Sequence, residues 1–169
     1  MKANDYQELT ARTLIDEPDF EIEASDLALI WDCINLAAFI GAMCDAVKKG
    51  VLHQHGFSRL DFFTSIKGLK ELIKDIEDRK SSDFVPKFDV MMAWNTIGLA
   101  GETGEVCEKF IRQSDSYEEE MGDVLWYLAA LCTKQELSLG EVMRQNIDKL
   151  KKRYPNGYSS EDSIARVDK

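Results

Sequence analysis

Apolar residues recur at helical spacing along nearly the whole chain, and no segment shows the sustained alternation of apolar and polar residues that marks a strand. Only three prolines and ten glycines interrupt the 169 residues, which leaves room for long helices. The sequence therefore predicts an all-α fold, a bundle of about six helices. Their predicted ranges are 5–15, 26–49, 59–79, 86–112, 116–134 and 138–154.

The two halves of the chain resemble each other weakly. The segment WDCINLAAFIGAMC from Trp31 can be laid over WNTIGLAGETGEVC from Trp94, with Trp, Ile, Leu, Ala, Gly and Cys at matching places. Such a match can arise by chance when many offsets are compared, or it can record an internal duplication.

Two pairs of carboxylates stand in the second half of the chain, in otherwise apolar surroundings. Glu102 and Glu105 are three residues apart, as are Glu120 and Asp123. Residues at that spacing project from one face of a helix. Because two helices with a short connection lie antiparallel, we expect the two pairs to face a common cleft.

Four acids around one cleft require a counter-charge, since like charges in a low-dielectric site raise one another's pKa. Ligation by oxygen alone suits Mg²⁺, with Mn²⁺ as a possible substitute. Such a site can hold a polyphosphate and generate hydroxide for attack on phosphorus. A solvated acidic face is the common alternative, but glycines at 98, 101 and 104 predict close approach of another backbone and argue against it.

The sixth predicted helix carries positive charge that could complement these acids. Asn146 lies within its apolar stripe, and Lys149 and Arg153 follow three and seven residues later. These side chains would reach a phosphate beside the acids, although basic residues near a helix C-terminus can also simply offset the helix dipole. Tyr127, one turn beyond Asp123, could stack on a base, or it could be a core residue.

Three segments within residues 94–158 resemble the signature blocks of the MazG-like, all-α nucleotide pyrophosphohydrolases: GLAGETGEV, EEEMGDVLWYLA and NIDKLKKRYPNGY. The segment DYQELTART near the start resembles the opening of phage and bacterial members. That family hydrolyses nucleoside triphosphates to the monophosphate and pyrophosphate with magnesium. The resemblance therefore implies a hydrolase that acts on the α–β phosphoanhydride of (d)NTPs by metal-activated water.

The resemblance also implies roles for individual residues. The metal ligands and catalytic residues would be Glu102, Glu105, Glu120 and Asp123. Apart from the resemblance, we take Glu102 as the candidate for accepting the proton of water, because it lies at the helix end nearest the GLAG opening. The residues implied to contact the nucleotide are Asn146, Lys149 and Arg153, and we add Tyr127 as a candidate substrate-binding residue.

The chain departs from a single-copy member by a long stretch between the opening block and GLAGE. Within that stretch, AVKKGVLHQHGFS resembles the loop that normally follows the ExxE helix, yet here it follows a segment in which Phe39 and Ala42 replace the acids. This favours the duplication. We expect a degenerate, structural N-terminal half (1–83) and a catalytic half (84–169) that form one compact unit. The N-terminal half would cover the cleft, and a homodimer is the expected assembly.

Composition and charge exclude several partners. A net charge of −10 argues against nucleic-acid binding. No apolar run approaches the roughly 20 residues that span a bilayer, and the start of the chain lacks a hydrophobic signal segment, so we expect a cytoplasmic protein with no membrane partner. The four cysteines show no CxxC spacing and are expected to be buried, reduced thiols.

Two other functions stay open at this point. A di-iron or di-manganese carboxylate bundle requires Glu-x-x-His on two helices, and neither His53 nor His55 follows a glutamate at that spacing. A non-catalytic acidic helical adaptor would keep its carboxylates in solvent and would show no effect of metal.

Overall fold

The computed structural model describes residues 1–18, 20–53, 55–56, 58–79 and 86–166, and these contain no β-strand. A 3₁₀ turn, Ala11–Thr13, extends the first helix, and a π-helical turn, Lys48–Leu52, extends the second. The predicted all-α fold is confirmed. The helices are α1 (Ala3–Thr10), α2 (Ala24–Val47), α3 (Arg59–Asp78), α4 (Val90–Ile111), α5 (Glu118–Lys134), α6 (Leu139–Arg153) and α7 (Ser160–Ala165).

All six predicted helices are present, but two features of the chain were not predicted. Helix α4 begins four residues after the predicted position, because the Asp89 side chain caps it and accepts hydrogen bonds from the backbone N–H groups of Met91 and Met92 at 2.9 and 3.0 Å. Helix α7 was missed altogether. It is short and is fixed by Ser159, whose hydroxyl accepts a hydrogen bond from the Asp162 N–H at 3.0 Å.

The chain forms two compact units. The first comprises Met1–Ile34 and Phe84–Met143, and the second comprises Asn35–Asp83 and Arg144–Lys169. Helices α2 and α6 therefore each contribute residues to both units. The boundary predicted between residues 83 and 84 lies outside the described residues, and the division into duplicated halves stays a prediction.

The core of the first unit lies where α1 packs on the second half of α5. Ala129 is fully buried, and Cys132 and Leu139 are nearly so, with Ala3 and Tyr6 packed against them. The small side chain of Ala129 leaves room for α1 to approach α5 closely. The prediction of buried cysteines is confirmed for Cys132 and is wrong for the three others, which are exposed.

Two amide side chains of α1 fasten it to the turn between α5 and α6. The Gln7 amide donates to the Leu137 carbonyl at 2.7 Å, and its oxygen accepts from the Leu139 N–H at 2.7 Å. The Asn4 side-chain oxygen accepts from the Gly140 N–H at 2.9 Å, and a Cβ at that glycine would meet it at 2.7 Å. These contacts hold the N-terminal helix beside the acid-bearing helix α5.

In the second unit, aromatic and polar side chains make the main contacts between elements. The Phe39 ring lies against Gly68 of α3, where a Cβ would meet the ring at 3.1 Å. The buried Ser163 hydroxyl lies 3.2 Å from His53 Nδ1 and 3.0 Å from His55 Nε2. Both histidines thus have polar partners within this unit, as the predicted loop role allows.

Helix α2 exposes much of its apolar surface. The helical stretch Ala24–Leu52, 29 residues long, is apolar enough by composition to cross a membrane, and it is the one such helix in the described part of the chain. The expectation that no apolar run reaches that length was wrong, because residues 26–49 are apolar on most sides. Core helices of soluble proteins share this composition, so the finding by itself assigns no membrane role.

Candidate active site

The four predicted acids lie on the two helices that pack most extensively in the first unit. Glu102 and Glu105 are on α4, and Glu120 and Asp123 are in the first half of α5. Only the residues between 111 and 118 connect the two helices, so α4 and α5 run antiparallel and bring both pairs to the same end of the helical pair.

Electrostatic interaction among the acids is seen at Glu102. Partial burial raises the pKa of this carboxyl, and the nearby charges of Glu105, Asp123 and Glu120 raise it further. Glu102 therefore responds to the charges of the other three acids, and the prediction that the two pairs share one region is supported by this interaction. Glu105 and Asp123 are exposed at the surface of this unit.

Glu120 has a different environment, because a lysine of α4 neutralises it. Lys109 Nζ lies 2.9 Å from Glu120 Oε1, and this contact lowers the pKa of the Glu120 carboxyl. Glu120 is buried, with 7% of its surface exposed, and its other oxygen, Oε2, has no hydrogen-bond partner among the described residues. A buried carboxylate oxygen without a partner is costly unless a cation or water satisfies it.

The donor set of this cluster fits a hard divalent cation. All four side chains offer carboxylate oxygens, and Glu120 Oε2 is free to bind. However, no three acidic, histidine or cysteine side chains converge as metal ligands in the described residues. Lys109 supplies the positive charge next to Glu120 instead. The residues that would hold a metal are Glu102, Glu105, Glu120 and Asp123.

A cleft of about 380 Å³ opens on the Glu102–Asp123 side of the cluster. Tyr127 and Trp126 of α5 line it, together with Thr13, whose hydroxyl accepts a hydrogen bond from the Trp126 indole N–H at 3.0 Å. Burial raises the pKa of the Tyr127 hydroxyl, and the charges of Glu102 and Asp123 add to this effect. The prediction that Tyr127 faces the same cleft as Asp123 is therefore supported by this arrangement.

A second cleft, of about 420 Å³, lies on the Glu105–Glu120 side. Its cationic lining consists of Lys109 and Arg112, with Ser114 beside them. Arg112 Nε donates to Glu108 at 2.8 Å. Sequence reasoning missed both cations, although their spacing of four and seven residues from Glu105 places them on the acid-bearing face of α4.

The glycines of α4 differ in their surroundings. A Cβ at Gly98 would lie 2.1 Å from the Tyr127 ring, so this glycine allows the aromatic ring to pack directly on α4. A Cβ at Gly101 or Gly104 would meet no atom of the described residues within 4 Å. The predicted close approach of another backbone was therefore wrong: one glycine accommodates a side chain, and two face open space.

The three predicted nucleotide contacts of α6 belong to the second unit. Asn146 and Lys149 are exposed, and Arg153 is half-buried with its guanidinium carbon 5.8 Å from the centre of the Tyr154 ring. The role of these three residues toward the acids stays a prediction.

A known protein family resembles the part of the chain that contains the acids. The family model described as "MazG nucleotide pyrophosphohydrolase domain" matches residues 93–158, a range that contains all four acids. The chain is also similar to the Gene 37 protein of Mycobacterium phage L5, with 32% identity over 78 residues that cover 39% of this chain and 68% of that protein. No solved structure matches the chain.

Proposed function

The chain belongs to the MazG nucleotide pyrophosphohydrolase family, and on that premise we propose that it hydrolyses (d)NTPs between the α and β phosphates. The products are the nucleoside monophosphate and pyrophosphate. The observation that carries the proposal is the group of four carboxylates on α4 and α5. In this group the charges of the other three acids act on Glu102, and one oxygen of Glu120 has no partner within the described ranges of the chain.

We propose Mg²⁺, or Mn²⁺ in its place, as the cofactor of this site, held by Glu102, Glu105, Glu120 and Asp123. When bound, the metal would neutralise the clustered charge, position the phosphates and lower the pKa of a water molecule. Of the four acids, Glu102 is our candidate for accepting a proton, because its raised pKa makes its carboxylate the stronger base.

One face of α4 suggests how the substrate lies. Along that face, Gly98 comes first, with the Tyr127 ring packed against it. The acids Glu102 and Glu105 follow, and the cations Lys109 and Arg112 come last. Gly98 and Lys109 are separated by eleven residue steps, which rise by about 16 Å along the helix, a span long enough for an extended nucleoside triphosphate. We therefore place the nucleoside end toward Tyr127 and the departing pyrophosphate toward Lys109 and Arg112. Asn146, Lys149 and Arg153 remain proposed nucleotide contacts on the strength of the family resemblance.

The alternative of a di-iron or di-manganese bundle has less support. That class requires histidines beside the carboxylates. The chain's two histidines are in the other unit, where both contact the Ser163 hydroxyl. The cations at Lys109 and Arg112 suit a polyphosphate substrate better than they suit an oxidised metal pair.

For the assembly we propose a homodimer that forms through an apolar groove in the second unit. The groove, of about 630 Å³, is lined by Ile40, Met43, Cys44 and Val47 of α2, by Val51 and Leu52, and by Phe62 and Leu69 of α3, with Lys48 as its charged member. So much exposed apolar surface is unusual on a monomer. A second copy of the same groove would bury it with twofold symmetry. We place the protein in the cytoplasm, where its substrates are.

Product analysis tests the proposed reaction. Wild-type protein with Mg²⁺ and a nucleoside triphosphate should yield monophosphate and pyrophosphate, and a chelator should stop the reaction. Glu105→Gln should be inactive, whereas Asp115→Asn, which removes one charge from the exposed 112–117 connection, should keep wild-type activity. Release of orthophosphate with a nucleoside diphosphate would contradict the proposal.

A further inference from the structure

An aromatic pocket of about 370 Å³ lies beside the acid cluster, wholly within the first unit. Its lining comes from the segment before α2, the first turns of α2, the first half of α4, and Tyr127 of α5. Phe20 and Trp94 supply two aromatic rings whose centres are 6.3 Å apart at an angle of 45°. The remaining lining residues are Ile22, Asp26, Ile30, Val90, Ile97 and Gly98.

Tyr127 joins this pocket to the acids. It lines the aromatic pocket and also the cleft that contains Glu102 and Asp123. Gly98 fixes the ring in that place, since no side chain larger than hydrogen fits between α4 and the ring. A nucleotide whose phosphates bind at the acids can therefore extend its base past Tyr127 into the aromatic pocket.

The exposed aromatic side chains of this pocket suit a planar heterocycle. Trp94 is 37% exposed and Phe20 is 57% exposed, although both line an apolar cavity. Aromatic side chains with open faces bind bases by stacking, and stacking tolerates any base. Stacking alone therefore explains binding of a base but not a preference among bases.

Asp26 is the one charged residue in the lining of this pocket within the described part of the chain. It lies in the first turn of α2. A carboxylate has only acceptor atoms, two oxygens side by side. Guanine offers the complementary edge, because its N1–H and its N2 amino group are adjacent donors. Adenine and cytosine offer one amino group, while uracil and thymine place carbonyl oxygens on both sides of their N–H and would repel the carboxylate.

We propose that this pocket binds the base of the nucleotide and that Asp26 makes guanine the preferred base. The proposal rests on the proposed function, since it takes the acid cluster as the place where the phosphates bind. Asp26 acts here as a specificity-determining residue and has no part in the chemistry.

The first test compares turnover. We expect kcat/KM for dGTP to exceed that for dTTP by roughly ten- to a hundredfold, the discrimination that a bidentate pair provides. Deoxyinosine triphosphate differs from dGTP only by lacking the N2 amino group, so its kcat/KM should lie between those of dGTP and dTTP. Asp26→Asn should lower kcat/KM for dGTP and raise it for dTTP, because an amide offers both a donor and an acceptor. Glu23→Gln, one turn earlier and outside the pocket lining, should leave the order of bases unchanged.

The second test measures binding and does not depend on hydrolysis. Calorimetric titration should show tighter binding of dGMP than of dTMP by the wild type and by Glu23→Gln, and a reduced or reversed difference for Asp26→Asn. If no triphosphate is hydrolysed but dGMP binds in an Asp26-dependent way, the proposed function fails and this inference stands. Equal use of all bases by the wild type, or a guanine preference that survives Asp26→Asn, would overturn it. The inference would also be overturned if a second copy of the chain filled the pocket. In that case Trp94→Ala would dissociate a dimer and leave the order of preference among the bases unchanged.

Discussion

Lys109 Nζ lies 2.9 Å from Glu120 Oε1, so an ammonium group of α4 takes the position beside this carboxylate that a divalent cation would compete for. The other oxygen of Glu120 has no hydrogen-bond partner in the part of the chain that the structure describes. In the absence of metal, the lysine offsets part of the repulsion among the acids. A metal that binds Glu120 must either share the carboxylate with this lysine or displace it.

Replacement of Lys109 should therefore strengthen metal binding. In Lys109→Met the competing charge is removed, and the Kd for Mg²⁺ without nucleotide should fall by on the order of tenfold. Turnover should fall as well, because the pyrophosphate end of the substrate loses a cation. Calorimetry with Mg²⁺ measures the first effect. The matched control is Lys134→Met, since Lys134 is also ion-paired, to Asp16 at 3.2 Å, but lies outside the acid cluster. Unchanged or weaker Mg²⁺ binding in Lys109→Met would contradict the competition.

Removal of one acid should not weaken the metal-free fold. Glu105→Gln and Asp123→Asn relieve repulsion in the cluster, so their Tm in chelator should equal or exceed that of the wild type, while turnover is lost. Mg²⁺ should raise the Tm of the wild type, by a stabilisation of about 2.7 kcal/mol at a free concentration about 100 times its Kd. Its effect on the two variants should be much smaller. Should the variants unfold and Mg²⁺ leave the wild type unchanged, the carboxylates have a structural role only.

The stability of the metal-free protein should depend on pH through Glu102. The folded protein raises the pKa of this carboxyl above its ordinary value of 4.5, so it binds the proton more tightly than the unfolded chain does. The resulting stabilisation is complete below pH 4.5 and is lost as the pH rises through the raised pKa. Relative to the wild type, Glu102→Gln should therefore gain stability as the pH increases from below 4.5 to neutral. Urea unfolding in chelator measures this difference.

Glu118→Gln provides a control of opposite sign for that experiment. A hydrogen bond from the Ser116 hydroxyl lowers the pKa of Glu118. Its stabilisation is present above pH 4.5 and is lost as the pH falls through the lowered pKa. Glu118→Gln should therefore become less stable than the wild type as the pH rises. Parallel pH profiles for the two variants would show that neither burial nor the neighbouring acids raise the pKa of Glu102 in the folded protein.

Substitution of two glycines in α4 should have opposite effects. Gly98→Ala places a methyl group 2.1 Å from the Tyr127 ring and should destabilise the fold by about 1–3 kcal/mol. The methyl group of Gly101→Ala would meet no described residue within 4 Å, so this substitution should stabilise α4 by up to about 1 kcal/mol. Denaturant unfolding of both variants checks this. In a Tyr127→Ala background, Gly98→Ala should lower the free energy of unfolding by much less than it does in the wild type. An equal cost in both backgrounds would mean that the Tyr127 ring is not the obstacle.

The proposed homodimer can be tested at α2. Ile40 is 50% exposed, so Ile40→Asp should cost the monomer little but should disrupt an interface formed by the apolar groove. Light scattering should give twice the 19.2 kDa of one chain for the wild type and a monomer for the variant. Leu137→Asp, at 51% exposure in the first unit, is the matched control and should stay dimeric. A monomeric wild type would contradict the proposal.

The long helices could be predicted from the sequence because apolar residues recur along them at helical spacing, and α2 is apolar on most sides. The positions of their ends were less predictable. Pro86 suits a helix start, yet the side chain of Asp89 provides the cap that begins α4. Helix α7 has only six residues, too few for periodicity to be recognised, and a serine cap at Ser159 was its only signal.

The acids and the tyrosine of the candidate site could be predicted from the sequence, because they recur at helical spacing. Pairs of acids three residues apart are visible in the sequence, and so is a tyrosine one turn further along. Lys109 and Asp26 could not be selected in the same way, because each is a single charge among many on a chain rich in charged residues. Their significance comes from neighbours on other segments: Glu120 of α5 for the first, and Phe20 and Trp94 for the second.

The Ser163 hydroxyl of the second unit has a consequence for the histidines that contact it. A hydroxyl carries one hydrogen and two lone pairs. The Ser163 hydroxyl has three partners: His53, His55 and Tyr154. The hydrogen bond with Ser163 lowers the pKa of the Tyr154 hydroxyl. Because the serine hydroxyl has a single hydrogen, it can donate to only one of these three partners, so at least one of the two imidazoles must donate its N–H to Ser163. A serine near the end of the chain thus couples the ring hydrogens of two histidines that are separated by a single residue.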